Sequence, residues 1–174
     1  IERAFSARSI PLHIERLDRL QAAFLEHYVG NMPGRSAMYP GAGRVLENFS
    51  QAGFLLAVCT NKLEEMSVQL LERLGVAERF AAICGGDTFA FRKPDPRHLF
   101  GTVEKAGGDP SRAVMFGDSR ADIEAAKSAG IPVVAVDFGY SDRPVRELEP
   151  SRVISSFDEV TPELVGELLR AASA

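Results

Sequence analysis

The sequence predicts an α/β fold built on a doubly wound, mostly parallel, Rossmann-like sheet. Three observations carry this: short continuous apolar runs, stretches of helical periodicity between them, and glycines where those stretches stop. Runs such as Phe54-Leu55-Leu56-Ala57-Val58-Cys59 and Pro132-Val133-Val134-Ala135-Val136 lack polar alternation, so they read as strands covered on both faces.

Taken in order, residues 1–8 read as the end of a helix. Leu12, Leu17, Leu20, Phe24, Leu25 and Tyr28 then recur at helical spacing from Pro11 to about Tyr28. Gly30, Pro33, Gly34, Pro40 and Gly41 break the pattern and mark a loop and hinge. Beyond it a helix is expected over 42–52, stopped by Gly53, then a strand over 54–59 and a helix over 62–74 ending at Gly75. A strand over 80–84 and a helix over 95–105 follow, with Asp95 as cap and Pro96 in the first turn. Arg112-Ala113-Val114-Met115-Phe116 reads as a strand, 120–129 as a helix ending at Gly130, and 132–136 as a strand. A last helix starts at Thr161-Pro162-Glu163.

Composition narrows the function classes. The 174 residues are 45% hydrophobic and 25% charged, enough for a sizeable core. A net charge of −4 and a pI near 5.5 speak against a nucleic-acid surface. No run of about 18 apolar residues suggests a membrane span, and no signal-peptide pattern stands at the start. Cys59 and Cys84 lie in apolar runs and read as reduced core thiols of a cytoplasmic protein, with a disulfide between them left open.

Gly117-Asp118-Ser119-Arg120-Ala121-Asp122 carries the strongest chemical signal. Asp118 falls at the carboxyl tip of a strand, where open α/β sheets bind ligands, and Asp122 lies one helical turn on, facing back. Two acids held together repel and so imply a cation, for which Mg²⁺ with its oxygen preference is the first choice. The competing reading is a pair of helix-capping aspartates. Thr60-Asn61 stands at the tip of another strand, where a hydroxyl and free N–H groups at a helix start suit a phosphate; Asn61 and Glu64 also fit a helix cap. Lys93, in Arg92-Lys93-Pro94-Asp95-Pro96, is a cation on a stiffened turn. The three histidines, His13, His27 and His98, form no zinc or triad spacing and read as surface or half-buried residues. Gly41-Ala42-Gly43 lacks the preceding strand of a dinucleotide site.

In combination, Val58-Cys59-Thr60-Asn61-Lys62, Lys93-Pro94-Asp95-Pro96 and Gly117-Asp118-Ser119 with Asp122 resemble motifs two, three and four of the haloacid dehalogenase-like hydrolases. Tyr39-Pro40-Gly41, Gly85-Gly86-Asp87, Phe138-Gly139-Tyr140 and Val153-Ile154-Ser155-Ser156-Phe157 extend the resemblance, toward the phosphoglycolate phosphatase branch. It implies that Thr60 and the Asn61 amide bind the transferring phosphoryl group and that Lys93 neutralises its charge. Asp118 would ligate Mg²⁺, with Asp122 at the metal or just behind it. It further implies that residues 1–33 are the closing part of a helical cap and 34–174 an α/β core.

The family's first motif, a strand ending in Asp-x-Asp that supplies the nucleophile, does not occur in the 174 residues. Asp137 follows an apolar run, but that run matches the family's last core strand. The expectation is therefore a longer enzyme whose nucleophile strand lies upstream of Ile1, between the strands at 54–59 and 112–116, and a chain inactive by itself. Either those strands close the gap directly or another chain fills it. The expected activity is Mg²⁺-dependent hydrolysis of a small phosphorylated metabolite, 2-phosphoglycolate first, through an aspartyl-phosphate. The alternatives are a phosphosugar mutase of the same fold and a non-catalytic domain that binds phosphate, metal or a partner. Oligomeric state is left open.

Overall fold

The computed structural model describes residues 5–8, 11 and 13–172. Residues 1–4 of the expected first helix and Leu12 lie outside the described residues, while Phe5 and Ser6 have helical backbone. Among the described residues the order is α1 (Ile14–Gly30), α2 (Ala42–Gln51), β1 (Ala57–Cys59), α3 (Glu64–Arg73), β2 (Ala82–Cys84) and α4 (Pro96–Lys105). It continues with β3 (Met115–Gly117), α5 (Arg120–Ala129), β4 (Val133–Val136), β5 (Arg152–Ile154) and α6 (Pro162–Ala172). The chain divides into two compact units, Ile1–Ala37 and Met38–Ala174. In the first, α1 buries none of its residues, Ile14 and Phe24 are exposed, and Phe24 stacks on Tyr28.

The second unit is an α/β core in which every strand pair is parallel. β1 pairs with β2, and β3–β4–β5 form a second sheet with β4 in the middle. β4 shows why its run is apolar throughout, because both of its faces are covered. Val134 and Val136 pack with Phe49 of α2 and Val165 of α6, whereas Val133 and Ala135 pack with Ile123 and Ala126 of α5. Helices on both faces make the unit doubly wound, as the sequence predicts.

The strands are shorter than their apolar runs. The expected strands over 54–59 and 80–84 pair only over Ala57–Cys59 and Ala82–Cys84. The expected strand over 112–116 is displaced, because the Asp109 side chain caps Ser111 and Pro110 starts a helical turn over Pro110–Arg112. The strand therefore begins at Met115 and ends at Gly117. β5 is an addition to the expected strands, because only Val153 and Ile154 are apolar there, between Arg152 and Ser155, too short a run to mark a strand. Direct closure of the gap is also corrected: β1 and β3 belong to separate sheets, each with one edge unpaired among the described residues.

Burial ranks the core positions. Ile123 is fully buried between α5 and β4, whereas Leu55 is 60% exposed. Ile123→Ala is expected to cost about 3 kcal/mol in urea unfolding, from lost transfer energy and the cavity left behind. Leu55→Ala should stay within about 0.5 kcal/mol. Equal losses at the two positions would contradict this assignment of the core.

Candidate active site

The carboxyl ends of β1 and β3 face a cavity of about 330 Å³. This is at the small end of the ~300–1,000 Å³ typical of ligand sites. Thr60, Asn61, Lys93, Asp118, Ser119 and Asp122 all line it. Sequence-distant residues thus meet at one groove because three strand–helix or loop–helix junctions open onto it.

Thr60 leaves β1 with its amide bonded to the Cys84 carbonyl at 3.0 Å. Its hydroxyl oxygen accepts from the Lys62 amide at 3.2 Å, which leaves the hydroxyl proton to donate elsewhere. The Asn61 amide has no partner among the described residues. The expected cap by Asn61 and Glu64 is corrected. Leu63 is the cap residue of α3, Asp87 Oδ1 accepts from the Glu64 amide at 2.8 Å, and the Glu64 carboxylate accepts from Thr88. The Asn61 side chain instead donates to the Lys93 carbonyl at 2.8 Å.

Lys93 is 6% exposed. Its ammonium donates to the Cys59 carbonyl at the end of β1 and to Asp122 Oδ1 at 2.6 Å. Asp122 is equally buried, and its other oxygen accepts from the Asp118 amide (3.2 Å), the Ser119 amide (3.0 Å) and the Ser119 hydroxyl (2.6 Å). Burial pushes the Asp122 carboxyl up, but the Lys93 charge and hydrogen bond, with those from Ser119, win and hold it below its ordinary range. The cation that answers Asp122 is therefore Lys93. Of the two acids, Asp122 is the one engaged in helix capping, reciprocally with the N-cap Ser119.

Asp118 differs. Its Oδ2 accepts from the Tyr140 amide at 2.6 Å, and its other oxygen has no partner among the described residues. Both acids rely on close glycines. A Cβ on Gly139 would stand 2.5 Å from Asp118 Oδ2, and one on Gly117 would stand 2.6 Å from the Asp122 carboxyl carbon. One open carboxylate suits a divalent cation that keeps waters and takes substrate oxygens, as Mg²⁺ does. No group of three or more His, Cys, Asp or Glu converges among the described residues.

Sequence reasoning missed three contributors: the Cys59 carbonyl, the Tyr140 amide and His98. Backbone groups leave no mark in composition. His98, expected at the surface or half-buried, is fully buried, and its ring nitrogen accepts from the Lys93 amide. Its place five residues after Lys93, on the helix that the Lys93 turn starts, was the available clue. Cys59 and Cys84 are free thiols opposite one another in register. No described helix is long and apolar enough to cross a membrane.

Parallel strands, a groove at their carboxyl ends, and a hydroxyl, an ammonium and a carboxylate around it define an α/β core with a polar site at its strand tips. A haloacid dehalogenase-like hydrolase family model matches residues 8–136, and the chain belongs to that family. It is 59% identical to a phosphoglycolate phosphatase of Mesorhizobium japonicum over 99% of this chain and 76% of the relative. It is 52% identical to a phosphoglycolate phosphatase of Agrobacterium fabrum over 100% of this chain and 75% of the relative. A crystal structure of a predicted phosphoglycolate phosphatase from Haemophilus somnus superposes with a TM-score of 0.84 at 28% identity, covering 90% of this chain and 70% of that one.

The Lys93–Asp122 pair yields a stability test. Lys93→Met leaves a buried carboxylate without its cation, and urea unfolding should show a loss of about 3 kcal/mol. Adding Asp122→Asn should recover part of that loss, with a coupling of at least about 1 kcal/mol across the double-mutant cycle. Strict additivity would show that the two groups do not depend on each other.

Proposed function

We propose that the chain is the phosphate-binding core of a Mg²⁺-dependent phosphatase acting on a small phosphorylated metabolite, 2-phosphoglycolate first. The observation that carries this is the meeting of Thr60, Lys93 and Asp118, from three separate junctions, at one groove. The names of its relatives, phosphoglycolate phosphatases at 59% and 52% identity, support the substrate. The small groove suits an ester of few atoms.

In this reading the Thr60 hydroxyl and the Asn61 amide donate to the phosphoryl oxygens. Lys93 sets positive charge beside them, and such pre-placed donors do most of the work in phosphoryl transfer. Asp118, cradled by Gly139 and Tyr140, is the residue that would hold Mg²⁺; Asp122 backs it by fixing Ser119 and Lys93. Bound there, Mg²⁺ would offset charge on the phosphoryl oxygens. The attacking carboxylate belongs to an Asp-x-Asp strand outside these 174 residues, lying between the free edges of β1 and β3. It forms an aspartyl-phosphate as the alkoxide leaves, and water then hydrolyses it. Residues 1–33 are assigned to the closing part of a helical cap, and two free thiols fit the cytoplasm.

Phosphate release from 2-phosphoglycolate, measured for this chain and for a version extended upstream through that strand, tests the proposal. The extended protein should turn over with Mg²⁺ and lose activity with chelator, and the 174-residue chain should not turn over. Thr60→Val in the extended protein should lower kcat about 100-fold, the cost of one donor to developing charge. Turnover by the short chain, or an indifferent Thr60→Val, would overturn the assignment.

A further inference from the structure

Lys93 belongs to a stretch between β2 and α4 that has no helix or strand, yet its ammonium is delivered to a defined place. A lysine stem has several rotatable bonds, so that delivery depends on how firmly the peptide at its root is held. The structure holds it at two points. The Asn61 side chain, fixed at the end of β1, donates to the Lys93 carbonyl at 2.8 Å. The His98 ring, on α4, accepts the Lys93 N–H on Nδ1 at 3.2 Å.

His98 is suited to this task. It is fully exposed to protein and not to solvent, with 0% accessible surface, and the edge-on Phe89 ring lies 5.8 Å from its own. Its backbone is anchored as well, its amide on the Asp95 carbonyl and its carbonyl on the Thr102 hydroxyl. A nitrogen that accepts an amide proton carries none, so the neutral ring keeps its proton on Nε2, which is buried and has no hydrogen-bond partner among the described residues. Burial first, and then the Lys93 charge, lower the tendency of the imidazole to protonate, against the Gly85 backbone and Asp95. Neutrality matters in this place: a carboxylate at 98 would compete with Asp122 for the ammonium, and a cation would repel it.

We propose that His98 is a positioning residue for Lys93, its Nδ1 and the Asn61 side chain clamping the peptide from which the ammonium reaches the groove. The use of that ammonium on phosphate rests on the proposed function, whereas the clamp does not. Neither the family match nor the relatives' names assign His98 a part.

The test compares His98→Leu, which keeps bulk and removes the acceptor, with His98→Asn, whose side-chain oxygen can take the place of Nδ1. Three quantities are measured on the 174-residue chain: Tm, Lys93 amide hydrogen exchange by NMR, and the Kd for inorganic phosphate. In His98→Leu, Lys93 amide exchange should speed up and phosphate affinity should weaken, each by about tenfold, as for loss of one buried hydrogen bond. His98→Asn should restore both to within about threefold of the parent, even with a Tm as low as that of His98→Leu. An unchanged Lys93 amide in His98→Leu, or an Asn variant no better than Leu, overturns the clamp. Phosphate affinity is also read on the version extended upstream; if neither protein binds phosphate, the phosphatase reading fails, and the exchange pattern by itself still decides the clamp. If His98→Leu does not fold, ¹⁵N NMR of the parent imidazole at pH 7 decides: a proton on Nε2 supports the clamp, and one on Nδ1 overturns it.

Discussion

One buried ammonium spans the gap between the two sheets of the core. Lys93 donates on one side to the Cys59 carbonyl, at the end of β1, and on the other to Asp122, whose second oxygen grips the residues just past β3. No strand pairing joins β1 to β3 among the described residues. The apolar packing of Leu99, Ala125 and Ile131, joined by Cys59 and Met115, helps bring the halves together. That packing is nondirectional, however, and the ion pair adds direction. A buried pair adds little net stability, because desolvation offsets attraction, but it tolerates few geometries. The shape of the groove, and the separation of Thr60 from Asp118, follow from it.

The same pair explains why two neighbouring aspartates have different roles. Asp122 is saturated by Lys93 and the Ser119 cap, so it serves as a strut. Asp118 keeps one oxygen open, held in place by the Tyr140 amide and by glycines that leave no room for a Cβ. Repulsion between the acids is thus relieved within the protein on one side only. The free edges of β1 and β3 add a second asymmetry. Exposed ladders invite pairing, and the strand proposed to carry the attacking carboxylate would satisfy both edges.

Much of this could be read in the sequence, for identifiable reasons. The run 132–136 and the helix 120–129 were legible because continuous burial and a stop at Gly130 leave strong patterns. Thr60, Lys93 and Asp118 were legible because each sits at a junction marked by a change of period. The start of β3 was obscured by Asp109 and Pro110, whose local capping outweighs the apolar run after them. β5 was obscured because its apolar run is only Val153-Ile154, whereas the equally short β1 sits in the longer run 54–59. The competing cap at Asn61 fails because a side chain three residues before Glu64 fits a cap pattern by spacing alone, and only tertiary structure offers it the Lys93 carbonyl instead. His98 was invisible as a buried acceptor because its partner is a backbone amide.

The central claim is spatial, and a crystal structure of the chain grown with Mg²⁺ and inorganic phosphate addresses it most directly. The account predicts phosphate within hydrogen-bond reach of the Thr60 hydroxyl and the Lys93 ammonium, with the cation against Asp118. Phosphate bound elsewhere, with Thr60, Lys93 and Asp118 turned to different surfaces, would contradict it.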